Sequence, residues 1–148
     1  MRDSTITSFI IADRNMHLAN TIAHALTAQS SRNFLISALV KSQSELSEAC
    51  SVSPIDIIIA DVMLLQSEFF RKFTQHPEFR TRILILTEFD SPVLVSKAFD
   101  SGATGFLLKM PSMKKILCAI ESLLADRVYV DEQLPSITAF VLQHQKQG

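Results

Sequence analysis

Two stretches limit what this chain can fold into: IDIIIAD at residues 55–61 and RILILTEFD at residues 82–90. Each opens with a nearly continuous apolar run, without the alternation of a strand that has one wet face. A run of this kind reads as a strand buried on both faces, and such strands belong to parallel sheets covered by helices above and below. Each run also ends on polar residues, Asp61 in one case and Thr87, Glu88 and Asp90 in the other.

The rest of the chain supplies matching parts. FIIA (9–12), FLISALV (34–40) and ATGFLLK (103–109) read as three more strands. Between the strands lie helical patterns. Leu18, Ile22 and Leu26 recur at four-residue steps, SQSELSEAC (42–50) suits a short helix, and SEFFRKFTQH (67–76) suits one with Phe69, Phe70 and Phe73 turned inward. SPVLVSKAFDSG (91–102) carries Ser at the cap, Pro at the first helical position and Gly at the end. In SMKKILCAIESLLAD (112–126), Met113, Ile116, Leu117, Ile120, Leu123 and Leu124 share one face. Five strands alternating with five helices predict an α/β domain: a five-stranded parallel sheet, doubly wound, with helices on both faces. Residues 127–148 fall outside that repeat. Within them LPSITAFVLQHQ suits a last helix, with Pro135 at its start and Ile137, Phe140 and Val141 on a face.

Composition excludes several classes. With 14 basic and 15 acidic residues there is no basic excess of the kind that marks a nucleic-acid surface. The longest apolar run is too short to span a bilayer, and MRDSTITSF lacks the apolar core of a signal peptide. The chain therefore reads as cytoplasmic, with no membrane partner. Two cysteines, Cys50 and Cys118, make no disulfide framework and read as small buried residues. No histidine pairs with another His or Cys at a metal-ligand spacing. Three glycines cannot build a phosphate loop, and no GxSxG elbow is present, which disfavours a nucleotide-binding enzyme or an α/β hydrolase.

In an open parallel sheet, ligands bind beyond the C-terminal ends of the strands. Those ends carry Asp13, Asp61, Thr87 and Lys109. Each has a plainer use. An aspartate there can cap a helix, a threonine suits a strand, and a lysine can be solvated. Together they match phosphoryl chemistry. Asp61 would be a nucleophile toward phosphorus, Lys109 and Thr87 would hold phosphoryl oxygens, and Asp13 would help to hold Mg²⁺.

DIIIADVM, LILTEFDSP and SGATGFLLK followed by an amphipathic helix resemble the receiver domains of bacterial two-component response regulators, and IADRN resembles their first acidic turn. GATGFLLK, a helix and then VYVDEQL look like the NarL/LuxR-type branch. The resemblance implies a flavodoxin-like fold and a regulatory phosphoacceptor domain, not an enzyme beyond self-catalysed phosphotransfer. It implies Asp61 as phosphoacceptor, with Mg²⁺ held by Asp13, Asp61 and the backbone carbonyl of Met63. Thr87, Lys109 and Phe106 would be the switch residues; Phe106 also reads as ordinary strand packing. The partner would be a sensor histidine kinase or a small acyl phosphate. Residues 1–126 would form the receiver domain. Residues 127–148 would be a C-terminal extension or linker toward a helix-turn-helix domain absent from this chain, so DNA contact would be indirect. A homodimer is expected, with Met113, Ile116 and Ile120 as interface candidates.

The pattern departs from that family in three places. The acidic pair after the first strand reads Asp13-Arg14, so one metal-binding carboxylate becomes a cation, and Mg²⁺ should bind weakly or not at all. DVMLLQSEFF has no Pro or Gly where a turn containing them is usual. Glu88 follows Thr87, where a small residue would leave room for a phosphoryl group. Two readings stay open. One is a switch phosphorylated on Asp61. The other is an atypical, phosphorylation-independent dimerisation module in which Arg14 lies against Asp61 and replaces part of the metal's role.

Overall fold

Six parallel strands lie side by side in the order β2-β1-β3-β4-β5-β6 in this computed structural model, which describes residues 5–29, 31–65 and 80–145. The strands are β1 (Thr7–Ala12), β2 (Phe34–Val40), β3 (Ile57–Asp61), β4 (Arg82–Thr87), β5 (Gly105–Leu108) and β6 (Tyr129–Val130). Five α-helices are described: α1 (Met16–Thr27), α2 (Gln43–Val52), α3 (Pro92–Asp100), α4 (Met113–Leu124) and α5 (Pro135–Gln145). A single 3₁₀ turn, Val62–Leu65, follows β3. The helix expected at 67–76 lies outside the described residues. No helix among those described is long and apolar enough to cross a membrane.

The apolar runs divide residue by residue between two cores, as the two-residue period of a strand requires. Phe9, Ile11, Ile57, Ile59, Leu84, Leu86 and Leu107 pack under α1 and α4. Ile10, Ala12, Ile58, Ala60, Ile83, Ile85 and Phe106 pack on the opposite side, under α2, α3 and α5. This is the doubly wound arrangement the runs predicted.

Helix ends follow local chemistry. The Asn15 side chain accepts from the Leu18 amide and starts α1. Ser42 caps α2, its Oγ accepting from the Glu45 amide, while Glu45 Oε1 accepts from the amide of Lys41, one residue before the cap. Pro92 opens α3, and Gly102 turns the chain beyond its end at φ +101°. Ser91 occupies the cap position of α3 but makes no side-chain capping bond.

The sequence reading placed an extension or linker with a last helix after residue 126, and that helix is α5, preceded by a short strand. Tyr129 and Val130 add a sixth strand beside β5, and Leu134, Ile137 and Val141 are buried. A two-residue strand is too short to show a period, yet it covers what would otherwise be an open sheet edge. The cysteines also part ways. Cys50 is buried, and burial pushes its thiol up to about 11, whereas Cys118 is exposed on α4.

Candidate functional site

The strand order reverses between β1 and β3, and the cleft opens there. Register decides what meets at that edge. Ala12 lies beside Ala60, Asp61 beside Leu86, and Thr87 beside Leu108. The next residue along each of β1 and β5 is therefore functional: Asp13 after Ala12, and Lys109 after Leu108. The Lys109 amide donates to the Thr87 carbonyl at 2.7 Å and ties the ends of β4 and β5 together.

The cleft has a volume of about 400 Å³ and is lined by Asp13, Arg14, Asn15, Leu18, Asp61, Glu88, Lys109 and Met110. Its floor is an ion-pair group. Lys109 Nζ lies 3.0 Å from Asp13 Oδ2 and 3.5 Å from Asp61 Oδ2. Both carboxylates are buried, and the lysine side chain is only 15% exposed. The other carboxylate oxygens face backbone: Asp13 Oδ1 accepts from the Asn15 amide at 2.9 Å, and Asp61 Oδ1 from the Met63 amide at 3.2 Å. Among the described residues Asp13 Oδ2 accepts no hydrogen bond of regular geometry, so its contact with Lys109 is chiefly one of charge.

Arg14 takes a smaller part than the sequence suggested. Its Nε stands 3.8 Å from Asp61 Oδ2, on a side chain 66% exposed. A long, wet pair of this kind contributes about 0–1 kcal/mol. Glu88 is exposed at the rim.

Thr87 and Phe106 stand apart from that group. Thr87 is buried, and its hydroxyl donates to the Phe89 carbonyl at 3.1 Å and accepts from the Phe89 amide at 3.3 Å. Phe106 is fully buried in the core beneath α3 and α5, with its ring centroid 6.4 Å from that of Phe99. The interface candidates on α4 are also committed. Ile116 and Ile120 are buried against the sheet, and Met113 packs beside them, so these side chains offer little free surface to a second chain.

The donor set does not fit a divalent cation. Among the described residues no three His, Cys, Asp or Glu side chains gather as a metal site. Asp13 and Asp61 carry two negative charges, and Lys109 with Arg14 brings two positive ones to the same place. Mg²⁺ favours oxygen ligands carrying uncompensated negative charge, and here Lys109 and Arg14 offset the charges of Asp13 and Asp61.

Three contributors were not legible in the sequence. Asn15 both caps α1 and donates to Asp13. Asp90 and Asp131 act outside the cleft, on partners distant in sequence. A lone acid after a strand gives no local sign of such a partner.

No family model and no curated protein matches the chain by sequence. Solved structures do match in fold. The isolated REC domain of RcsB from Salmonella enterica serovar Typhimurium, determined with the phosphomimetic BeF3⁻, superposes with a TM-score of 0.73 at 16% identity, over 90% of this chain and 99% of that one. A LuxR-family two-component response regulator from Aurantimonas gives 0.77 at 20% identity, over 93% and 99%. RcsB bound as two dimers to two parallel DNAs gives 0.73 at 16%, over 91% of this chain and 66% of that one. The fold is that of response-regulator receiver domains.

Proposed function

We propose that this chain is a receiver-type signalling module whose cleft is held by its own ion pairs rather than by Mg²⁺, and that it works through protein–protein contact with a second copy. One observation carries this reading: Lys109 Nζ lies between Asp13 and Asp61, at 3.0 and 3.5 Å. The ends of β1, β3 and β5 are thereby joined through charge without a cofactor. Arg14 adds a weaker positive charge at the mouth, and Glu88 adds a negative one at the rim, where an incoming dianion would be repelled. The two RcsB dimers bound to parallel DNAs provide a precedent in this fold for pairing.

A second reading has its own support. Asp61 lines an open cleft with Lys109 within reach, as a phosphoacceptor requires. Attack by an Asp61 oxygen on an acyl phosphate would form a carboxyl–phosphate bond and release the carboxylate of the donor. A sensor histidine kinase would be the alternative donor.

Incubation with acetyl phosphate, with and without Mg²⁺, followed by intact mass and light scattering, separates the two readings. The expected result is an unmodified mass and the same dimer in both conditions. A Mg²⁺-dependent phosphoryl adduct on Asp61, accompanied by a change of oligomeric state, would establish the second reading instead.

A further inference from the structure

Strand β2 has the composition of an inner strand and the place of an edge strand. FLISALV carries no charge, no proline and one polar residue, Ser37. Of its seven residues only Val40 is buried, and Leu35 is 52% exposed. The inner strands differ: all five residues of β3 and five of the six of β4 are buried. Among the described residues β2 pairs with β1 alone, so its other edge carries main-chain donors and acceptors with no strand beside them. The opposite edge of the sheet ends in the two-residue β6. Folds blunt an exposed edge with charge, proline or a short strand, and β2 uses none of these.

One irregularity decides how the free edge can be used. The register with β1 slips between Phe9 and Ile10, from Ile36 to Ala38, which leaves Ser37 without a partner on β1. The carbonyls of Asn33 and Val40 accept from the Thr7 and Asp13 amides, so they face β1. Main-chain groups alternate along a strand, so those of Phe34 and Leu39 face the open edge. Both side chains also pack on the α1 side of the sheet, whereas Ala38 packs on the other. Residues five apart in an unbroken strand would point to opposite faces. The extra residue at Ser37 brings Phe34 and Leu39 back into phase.

That phase suits an antiparallel pair of β2 strands. Opposed residues in such a pair share a face and exchange two N–H···O bonds. With Phe34 of one copy opposite Leu39 of the other, a twofold axis passes between Ile36 and Ser37, and Leu35 falls opposite Ala38. Each contact then occurs twice, as a closed two-copy assembly requires. The axis also sets Lys41 against Arg32 of the second copy, a charge that Glu121 already offsets. A groove of about 280 Å³ between α1 and β2, lined in part by Ala23, His24, Thr27, Ile36 and Leu39, leaves room for the second copy on that side. Phe89 and Val93 are exposed as well, but they offer side chains without a free strand edge.

We propose that two copies of this chain pair through β2, edge to edge and antiparallel, joining two six-stranded sheets into one. The proposal rests on the reading that the chain works with a second copy, and adds where the two meet.

Light scattering and hydrogen exchange on the full chain, from dilute to concentrated, test it. The expected result is a dimer in which the Phe34 and Leu39 amides exchange about tenfold more slowly than in the dilute monomer, with α3 unchanged. Leu35→Lys, a charge placed at an exposed position of the edge, should weaken association about tenfold with the helical signal intact. Cross-linking serves if that variant misfolds. In a Cys118→Ser background, a short thiol-to-thiol linker should join two copies through Ser37→Cys, and should not join them through Lys97→Cys on α3; both positions are exposed. A monomer at every concentration would overturn this proposal and the paired reading together. A dimer whose Phe34 and Leu39 amides exchange as fast as in the monomer, or one that Ser37→Cys does not link, would overturn the edge pairing and leave the paired reading standing.

Discussion

Lys109 and Arg14 are both cations near Asp61, and distance and burial rank them. Lys109 sits among buried carboxylates at 3.0 and 3.5 Å, whereas Arg14 is mostly in water at 3.8 Å. Removing one partner of a buried ion pair leaves a charge uncompensated and costs about 3–5 kcal/mol, whereas an exposed pair is worth about 0–1. Lys109→Ala should therefore cost about 3 kcal/mol in urea unfolding, and Arg14→Ala less than about 1. Similar losses for the two would show that the ranking is wrong. The meeting of Asp13, Asp61 and Lys109 was legible in the sequence, because each ends or directly follows a run that must be a buried parallel strand. The rank of Arg14 was not, because a sequence shows adjacency to Asp13 but neither the exposure of the side chain nor its distance from Asp61.

Among the elements, the five longer strands could be read from their apolar runs, and most described helices from their periodicity and caps. The C-terminal segment, residues 129–145, could be read only in part. LPSITAFVLQHQ showed a helix with the face that Ile137 and Val141 use. Its cap came from Asp90, and VYVDEQL did not reveal a two-residue strand locked by Asp131. Asp90 and Asp131 also give the attachment of residues 129–145 a pH dependence. Burial pushes both pKa values up. For Asp131 the Lys115 ammonium and the Gln133 and Leu108 amides outweigh that, and for Asp90 the Ser136 and Ile137 bonds do, so both end below the ordinary 3.8. A carboxylate with a depressed folded value contributes stability that is present above its unfolded value and lost as pH falls through the folded one. Opening of α5, taken from exchange rates corrected for intrinsic pH effects, should stay flat from neutral pH to about 5 and rise below 3.8. Asp131→Asn should reduce that rise, and a pH-independent opening would show that neither carboxylate holds this segment.

At the scale of the whole molecule, the receiver fold and the charge balance of its cleft point in different directions. The fold supplies the strand-end edge at which open parallel sheets bind ligands. On that edge Lys109 and Arg14 offset the charges of Asp13 and Asp61 before any metal arrives, and Glu88 adds one negative charge at the rim. The apolar face of α4 was legible as a face, but its use was not: Ile116 and Ile120 cover the sheet. Exposed Phe89 and Val93, on the turn beyond β4 and the first turn of α3, offer more free apolar surface for pairing. The most direct test of the internally paired cleft is thermal unfolding of the wild-type chain across a Mg²⁺ titration. A cation that binds the folded state stabilises it by about 2.7 kcal/mol at a hundred times its dissociation constant. The expected result is a midpoint that does not move with Mg²⁺ beyond what an equal ionic strength of NaCl produces. A saturable rise specific to Mg²⁺, lost in Asp61→Asn, would contradict it.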